Sequence, residues 1–203
     1  METLIKAIEL FALVTGLVYI VLEIRQKDAM WWVCIAMSAA CAFSFGVRQL
    51  YASMGLNVYY VAVSLWGIVQ WHRDGKKLRT EGAAPAALHL RKPSARTLWI
   101  SGAVFVAGTL LLSQLLRWLG DSASLLDAGV AALSAIGTWW LAKSYPEQWL
   151  VWIVADLLTA VLCLRAGMNW MALLYFAYAA SAVYGWLYWK KKGIYIDKTN
   201  AEL

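Results

Sequence analysis

The chain has 203 residues, of which 62% are hydrophobic and 15% are charged. That leaves too little polar surface to cover a water-soluble globule of this size, so the composition excludes an ordinary soluble domain and favours a membrane protein. The net charge of +6 would suit nucleic-acid binding, but the basic residues lie in short connections beside apolar runs rather than on a soluble face. We therefore expect no nucleic-acid partner.

Seven apolar runs follow one another along the chain. Each continues around the whole helix for about 20 residues, the length that spans the hydrocarbon core of a bilayer. Charged and turn-forming residues separate the runs. The sequence therefore predicts an all-α polytopic membrane protein with seven transmembrane helices. The predicted spans are 4–24, 30–47, 53–71, 97–119, 123–142, 147–164 and 168–189.

The 18 Lys and Arg residues are distributed unevenly between the two sides of this bundle. One side has four of them, and the other side has the remaining 14. Basic residues concentrate on the cytoplasmic side of membrane proteins. We therefore expect the N-terminus outside and the C-terminus in the cytoplasm. The four on the outer side are Lys6, Arg48, Arg117 and Arg165.

Two parts of the sequence resemble each other at a fixed offset of 118 residues, without a gap. Chance is the alternative, because Trp, Ala and Val are abundant here. Both copies nevertheless end with a Gly four residues before a Trp, and small residues permit close helix packing. The matched pairs include Trp31 and Trp149, Tyr60 and Tyr178, Gly67 and Gly185, and Trp71 and Trp189.

The offset predicts two three-helix repeats. Three spans reverse the direction of the chain, so the two copies are parallel only if an odd helix links them, which gives a 3+1+3 arrangement. Parallel repeats about an axis along the membrane normal place a substrate site between the halves near the midplane. The predicted division is 1–71 for the first repeat, 72–96 for a basic cytoplasmic loop, 97–119 for the linking helix, 120–189 for the second repeat and 190–203 for a cytoplasmic tail.

Trp149, Trp152 and Asp156 are spaced three and four residues apart, so they lie on one face of the sixth predicted helix. Asp156 is near the middle of its span, where an ionised carboxylate costs about 2.5 to 3.5 kcal/mol. A ligand with a cationic ring would offset that charge, and tryptophan faces would add cation–π contacts of about 0.5 to 2 kcal/mol. The alternative is that Asp156 bonds to another helix and the tryptophans are interface anchors.

Polar side chains on the third helix of each repeat are further candidates for binding a substrate. They form stripes with helical spacing and offer hydrogen bonds to hydroxyl or amide groups, although residues that join helices would show the same pattern. Glu23 and Asp127 lie near span ends, where we expect them to be solvated or paired. The candidates on the third helices are Asn57, Tyr60, Tyr175 and Tyr178.

Several chemistries lack their motifs. The sequence has no GxxxxGK[ST] phosphate loop, no HExxH or GxSxG pattern, and no CxxC pair among its three cysteines. We therefore expect no enzymatic activity, no cofactor and no metal. A lone midplane acid gives little from which to build a proton relay, so uncoupled transport is the simpler mechanism. A non-transporting scaffold or receptor, with the 72–96 loop as its partner surface, is the alternative of a different class.

The stretch KSYPEQWLVWIVADLL resembles the WxxW signature of the PnuC family of bacterial vitamin transporters. GLNVYYVAVSLWGIVQW and ALLYFAYAASAVYGWLYW are similar to the family's third and last repeat helices, so the resemblance covers nearly the full chain. It implies a SWEET-like 3+1+3 fold and a homotrimer in the inner membrane. It also implies facilitated diffusion of an unphosphorylated vitamin, which a cytoplasmic kinase then traps by phosphorylation.

The resemblance leaves the identity of the vitamin open. The name-giving members of the family carry nicotinamide riboside and have Asn where this chain has Asp156, whereas the GLNVYY and EQWLVWIVAD segments are similar to thiamine-type members. Nicotinamide riboside and thiamine both contain a cationic ring, so Asp156 favours either of them over neutral riboflavin. Nicotinamide riboside is the leading expectation and thiamine its close rival.

Overall fold

The structure is a computed structural model, and it describes residues 15–47, 51–80, 82–83, 87–118, 125–165 and 167–196. Within these residues the chain forms seven helices and one two-stranded sheet. In chain order the elements are α1 Thr15–Ile24, α2 Ala29–Val47, α3 Tyr51–Thr80, β1 Leu88–Leu90, α4 Ala95–Trp118, α5 Leu125–Ala142, α6 Gln148–Arg165, α7 Asn169–Lys192 and β2 Gly193–Tyr195.

Four of the described helices are long and apolar enough to cross a membrane, by length and composition. They are α4, α5, α6 and α7, while α1 and α2 provide shorter apolar helices. A helix satisfies its own backbone hydrogen bonds, which lipid cannot do, so an apolar chain forms a helix bundle in a bilayer. The prediction of an all-α, multi-pass membrane protein is confirmed. Residues 4–14 of the first predicted span lie outside the described residues.

The segment predicted as a basic loop at 72–96 contains more structure than a loop. Helix α3 continues past its predicted end at residue 71 to Thr80, and buried Asp74 on this extension accepts a hydrogen bond from Arg91 Nε at 3.0 Å. Further along, β1 pairs in parallel with β2, which follows α7 directly. The loop and tail predictions are corrected accordingly. Charged residues can extend a helix where it leaves the apolar region, and a three-residue strand has almost no sequence pattern.

The turns after α1 and α5 share one backbone conformation. Gln26 has a φ of 49° and Ser144 a φ of 58°, both in the left-handed region. In each turn this residue's N–H bonds to the carbonyl three residues earlier at 2.9 Å, and the next N–H bonds five residues back. That is the Schellman pattern, in which glycine usually takes the left-handed position. Any other residue pays a steric cost there, of about 1 to 2 kcal/mol.

Strand β1 lies between these two turns and bonds to the side chains of both. Gln26 Nε2 donates to the His89 carbonyl at 2.9 Å, and the His89 N–H donates to Gln26 Oε1 at 2.8 Å. On the other side, His89 Nδ1 lies 2.9 Å from Ser144 Oγ. We call these contacts the β1 bridge. A glycine at either turn would have no side chain to make the contacts of the β1 bridge. This explains why a residue other than glycine takes the strained left-handed conformation there.

Two tryptophans pack directly over glycines of the following helix. A Cβ atom at Gly67 would lie 2.6 Å from Cζ2 of Trp31, and one at Gly185 would lie 2.7 Å from the ring of Trp149. Both distances are too short for any side chain, so α2 packs on α3 and α6 packs on α7 through a bare backbone. Close packing at these two glycines, predicted from the sequence, is confirmed.

Hydrogen bonds from two other tryptophans cross between early and late helices. Trp71 of α3 donates from Nε1 to the Leu141 carbonyl of α5 at 3.1 Å. Trp189 of α7 donates in the same way to the Ile24 carbonyl of α1 at 3.0 Å. The two rings also meet edge to face, with centroids 6.4 Å apart. The core at this end of the bundle therefore ties α1, α3, α5 and α7 together.

Candidate functional site

A cavity of about 250 Å³ lies between α1, α2, α6 and α7. Its wall is mainly apolar and aromatic, with a few polar groups pointing inward, which is the usual character of a small-molecule site. The structure brings four of the predicted site residues together here: Trp149, Trp152, Asp156 and Tyr178. Tyr19 and Glu23 of α1 also line the cavity.

Trp152 and Asp156 reach the cavity from consecutive turns of α6, and both are half-buried. Trp152 is held against α5, where a Cβ at Gly137 would lie 3.2 Å from its Cε2 atom. Among the residues that the structure describes, Asp156 has no hydrogen-bond or ion-pair partner. A carboxyl group within a membrane span requires compensation. A cation in the cavity would provide it.

Trp149 forms the floor of the cavity and is only 2% exposed. It packs over Gly185, and its ring meets that of Trp189 with centroids 5.5 Å apart. Trp31, at the offset of 118, makes the same kind of contact with Trp71 at 5.0 Å, although it does not line the cavity. Helix packing alone therefore accounts for the position of Trp149, whereas Trp152 packs against α5 and is less buried.

Tyr178 of α7 presents a hydroxyl group that has no hydrogen-bond partner among the described residues. Its Oη atom would lie 3.2 Å from a Cβ at Gly16 of α1. Its equivalent at the offset of 118, Tyr60, lies instead close to the hydroxyl group of Ser134 of α5. Because Gly16 takes the place of that serine, the Tyr178 hydroxyl stays available to a ligand.

The positions of the first half that correspond to Trp152 and Asp156 hold small side chains. At the offset of 118, Cys34 stands in the place of Trp152 and Ser38 in the place of Asp156. Both are buried, and Cys34 Sγ lies 3.9 Å from Ser38 Oγ. The two halves thus share their packing residues but differ where the cavity lies.

Three predicted site residues do not line this cavity. Asn57 and Tyr60 are half-buried on α3, which contributes no lining residue. Tyr175 of α7 packs edge-on against Tyr178, with ring centroids 5.8 Å apart. Tyr175 therefore acts on the cavity through its neighbour. The stripes on α3 and α7 look alike in sequence, but only α7 adjoins the open region.

Glu23 lines the cavity, although its place near a span end predicts a solvated or paired side chain. It is 4% exposed, and its Oε1 accepts a hydrogen bond from Gln148 Nε2 at 3.2 Å. The side chain is paired as predicted, but it is not solvated, because the core and the β1 bridge cover this end of the bundle. The sequence contained an indication of this burial, because the offset of 118 matches Glu23 with the apolar residue Leu141.

The charges around the cavity have one sign. Glu23 and Asp156 line it, and none of the lining residues that the structure describes is Lys, Arg or His. The described ranges also contain no group of three His, Cys, Asp or Glu side chains suited to a metal ion. In a region of low dielectric, carboxyl groups attract cations and repel anions strongly. The cavity therefore suits a cationic or neutral ligand.

Known proteins resemble this chain in fold and in sequence. The nicotinamide riboside transporter PnuC of Neisseria mucosa is 29% identical over 194 residues, covering 89% of this chain and 70% of that protein. Its namesake in Escherichia coli is 22% identical over 202 residues, covering 90% and 84%. The crystal structure of the vitamin B3 transporter PnuC matches with a TM-score of 0.64 and 25% identity, over 89% of this chain and 79% of that one.

A sequence profile of the family described as nicotinamide mononucleotide transporter matches residues 6–191. The match covers every described helix except the last residue of α7. Resemblance to this family of transporters, expected from the segments around Trp149 and Trp152, is confirmed. The chain belongs to the nicotinamide mononucleotide transporter family, whose members are transporters rather than enzymes.

Proposed function

We propose that this protein carries nicotinamide riboside across the bacterial inner membrane by facilitated diffusion. The observation that carries the proposal is the pairing, in one cavity, of the Trp152 ring with the unpartnered carboxyl group of Asp156. An aromatic face and a carboxylate complement a flat cationic ring such as the pyridinium of nicotinamide riboside. Relatives named nicotinamide riboside transporter support the same substrate.

The charge of the cavity distinguishes the riboside from the mononucleotide of the family's description. A mononucleotide carries a phosphate group, which needs Arg, Lys or backbone N–H donors. The described lining offers two carboxyl groups and no basic side chain, so a phosphate would be repelled. The unphosphorylated form is accordingly the cargo, and phosphorylation by a cytoplasmic kinase would prevent its return.

Thiamine is the second candidate, since its cationic thiazolium ring satisfies Asp156 equally well. Riboflavin fits less well because its ring is neutral.

The scaffold alternative relied on a free basic surface at 72–96. Arg91 in that segment is paired with buried Asp74, and β1 is hydrogen-bonded to the helix turns, so less of the segment is open to a partner.

The proposed architecture is two parallel three-helix repeats, α1–α3 and α5–α7, linked by α4. The turns at Gln26 and Ser144 and the Trp-over-Gly contacts at Gly67 and Gly185 recur at the offset of 118, which supports this arrangement. Movement of one half against the other would expose the cavity to each side in turn. We place the N-terminus outside and the C-terminus in the cytoplasm, and expect a homotrimer.

Uptake into liposomes tests the function. Purified protein should accumulate radiolabelled nicotinamide riboside down its gradient, without ATP or an ion gradient, and should not carry the mononucleotide. Asp156→Ala removes the carboxyl group and every hydrogen bond that it can accept, so uptake should fall by about tenfold or more, as for a lost charge-assisted hydrogen bond. Asp127→Ala, on the exposed start of α5, is the matched control. If the liposomes take up thiamine and not nicotinamide riboside, thiamine is the substrate of this protein.

A further inference from the structure

Glu23 and Gln148 form a buried polar pair at one end of the cavity. Glu23 belongs to α1 and Gln148 to α6, and the Gln148 amide donates to the Glu23 carboxyl at 3.2 Å. Gln148 is fully buried, and its own Oε1 has no hydrogen-bond partner among the described residues. A buried polar pair with an unmet acceptor is costly. Such a pair needs a reason beyond helix packing.

The other half of the chain shows that packing does not require polarity here. At the offset of 118, Glu23 corresponds to Leu141 and Gln148 to Met30. Leu141 and Met30 are both fully buried and belong to the same hydrophobic core. An apolar pair therefore closes the equivalent place between the helices. The polar pair occurs where the side chain of Glu23 lines a cavity.

From these contacts we infer that Glu23 is a specificity-determining residue that accepts hydrogen bonds from the ribose hydroxyl groups of the substrate. Gln148 is its positioning residue, which fixes one carboxyl oxygen and leaves the carboxyl group aimed at the cavity. This inference rests on the proposed function. A carboxylate only accepts hydrogen bonds, and vicinal hydroxyls are donors that it can bind in pairs, as acidic residues do with ribose in dinucleotide sites.

The dimensions of α6 agree with this assignment. Gln148 precedes Trp152 by four residues, so the backbone of the residue that holds Glu23 lies about 6 Å along the helix axis from that of Trp152, whose ring we assign to the pyridinium. That spacing is comparable to the separation between the base and the sugar of a nucleoside. Trp152 and Asp156 would then hold the charged ring, and Glu23 would hold the sugar.

Calorimetric titration of the full-length protein in detergent tests the inference with two ligands. Nicotinamide riboside has the sugar, whereas 1-methylnicotinamide has the same cationic ring with a methyl group in its place. Glu23→Leu should weaken riboside binding by about 10- to 100-fold, as expected for hydrogen bonds to a charged group. The same variant should change 1-methylnicotinamide binding by less than about twofold, since no sugar contact is lost. Gln148→Met should show the same ligand dependence with a smaller loss.

The double variant Glu23→Leu/Gln148→Met guards against misfolding, because it installs the apolar pair of the other half. It should elute as a folded species and bind 1-methylnicotinamide like the parent. Equal losses for both ligands, or an unchanged riboside affinity, would overturn the role of Glu23 and leave the proposed function standing. A parent protein that binds neither ligand would overturn both. Asp156→Ala, which should weaken the binding of both ligands alike, separates the ring contact from the sugar contact.

Discussion

Three tryptophans illustrate how one residue type takes different roles at different positions. Trp31 and Trp149 are both nearly inaccessible and lie over Gly67 and Gly185, so their first role is to join two helices. Trp152 is half-buried, faces the cavity and has no tryptophan at the equivalent position of the first half. The sequence spacing predicts that Trp149 and Trp152 contact the ligand equally. The packing instead assigns the larger share of ligand contact to Trp152.

Alanine substitutions should separate these roles. Trp31→Ala leaves a cavity in the core and should lower the free energy of unfolding by about 3 to 5 kcal/mol. Trp152→Ala should lower the stability less than Trp31→Ala, because Trp152 is only half-buried, and should weaken binding of nicotinamide riboside by about tenfold, because a cation–π contact is lost. Thermal unfolding and fluorescence titration measure the two effects. A stability loss for Trp152→Ala as large as that for Trp31→Ala would contradict the assignment.

Asp156 and Glu23 differ in how visible they are in the sequence. An acid in the middle of an apolar run stands out because lipid offers it no compensation, and this alone predicts a cavity or a partner at Asp156. An acid at the end of a run, such as Glu23, resembles any solvated terminus. Glu23 is buried beside Gln148, which is distant in sequence, so only the folded chain reveals its burial.

At the scale of elements, the helices were predictable and the sheet was not. Apolar runs bounded by charges fix a helix locally, and the ends of α2, α5 and α6 agree with the predicted spans to within a few residues. The pairing of β1 with β2 joins segments about 100 residues apart and involves three residues on each side. No local sequence pattern encodes this strand pairing, because β1 is held by side chains in two helix turns.

Glycines under tryptophan rings should tolerate no substitution. Gly67→Ala forces a methyl group into the ring of Trp31, and overpacking of this kind costs about 1 to 3 kcal/mol. The melting temperature in detergent should fall accordingly. Gly102→Ala on α4 is the control, because a Cβ there meets no atom within 4 Å. Equal effects of the two substitutions would show that the contact with Trp31 is unimportant.

The β1 bridge should weaken in acid. Burial lowers the pKa of His89 to about 4, although nearby Asp74 opposes the shift. An exposed histidine has a pKa of about 6.5, so below that pH the released segment takes up a proton that bridged His89 does not. The stabilisation by neutral His89 is therefore complete above about pH 6.5 and is lost as the pH falls towards 4, by about 1.4 kcal/mol per pH unit.

Melting temperatures at about pH 7 and about pH 5 measure this effect. The parent should lose more stability between these two values than His89→Gln, whose amide can bond to Ser144 but does not titrate. His72→Gln, on the exposed side of α3, should respond to acid like the parent. An identical acid response in the parent and in His89→Gln would remove His89 as the cause.

At the scale of the whole molecule, the early and late helices are joined by matching hydrogen bonds. Trp71 bonds to the end of α5, and Trp189 bonds to the end of α1. The donors match at the offset of 118, whereas the acceptors are displaced by one residue, because Leu141 matches Glu23 and the acceptor of Trp189 is Ile24. The β1 bridge adds a third connection, through the turns that follow α1 and α5.

Loss of either tryptophan donor should have a similar effect. Trp71→Phe and Trp189→Phe each remove one Nε1–H donor and leave a buried carbonyl without that partner, which should lower the free energy of unfolding by about 1 to 3 kcal/mol. Trp99→Phe on α4, where the side chain is 81% exposed, provides the control for loss of an indole. Thermal unfolding of the three variants compares them. A large effect from only one of the first two would argue against equivalence of the halves.

The positions that match the cavity residues at the offset of 118 determine how many substrate molecules a chain holds. At the offset of 118, Cys34 and Ser38 stand where the cavity has Trp152 and Asp156, so those positions offer a cationic ring neither an aromatic face nor a carboxyl group. Saturation should therefore be reached at one molecule per chain, and each transport cycle should move a single molecule. Of the two segments that match at the offset of 118, only the second carries the aromatic ring and the carboxyl group that we assign to the ligand.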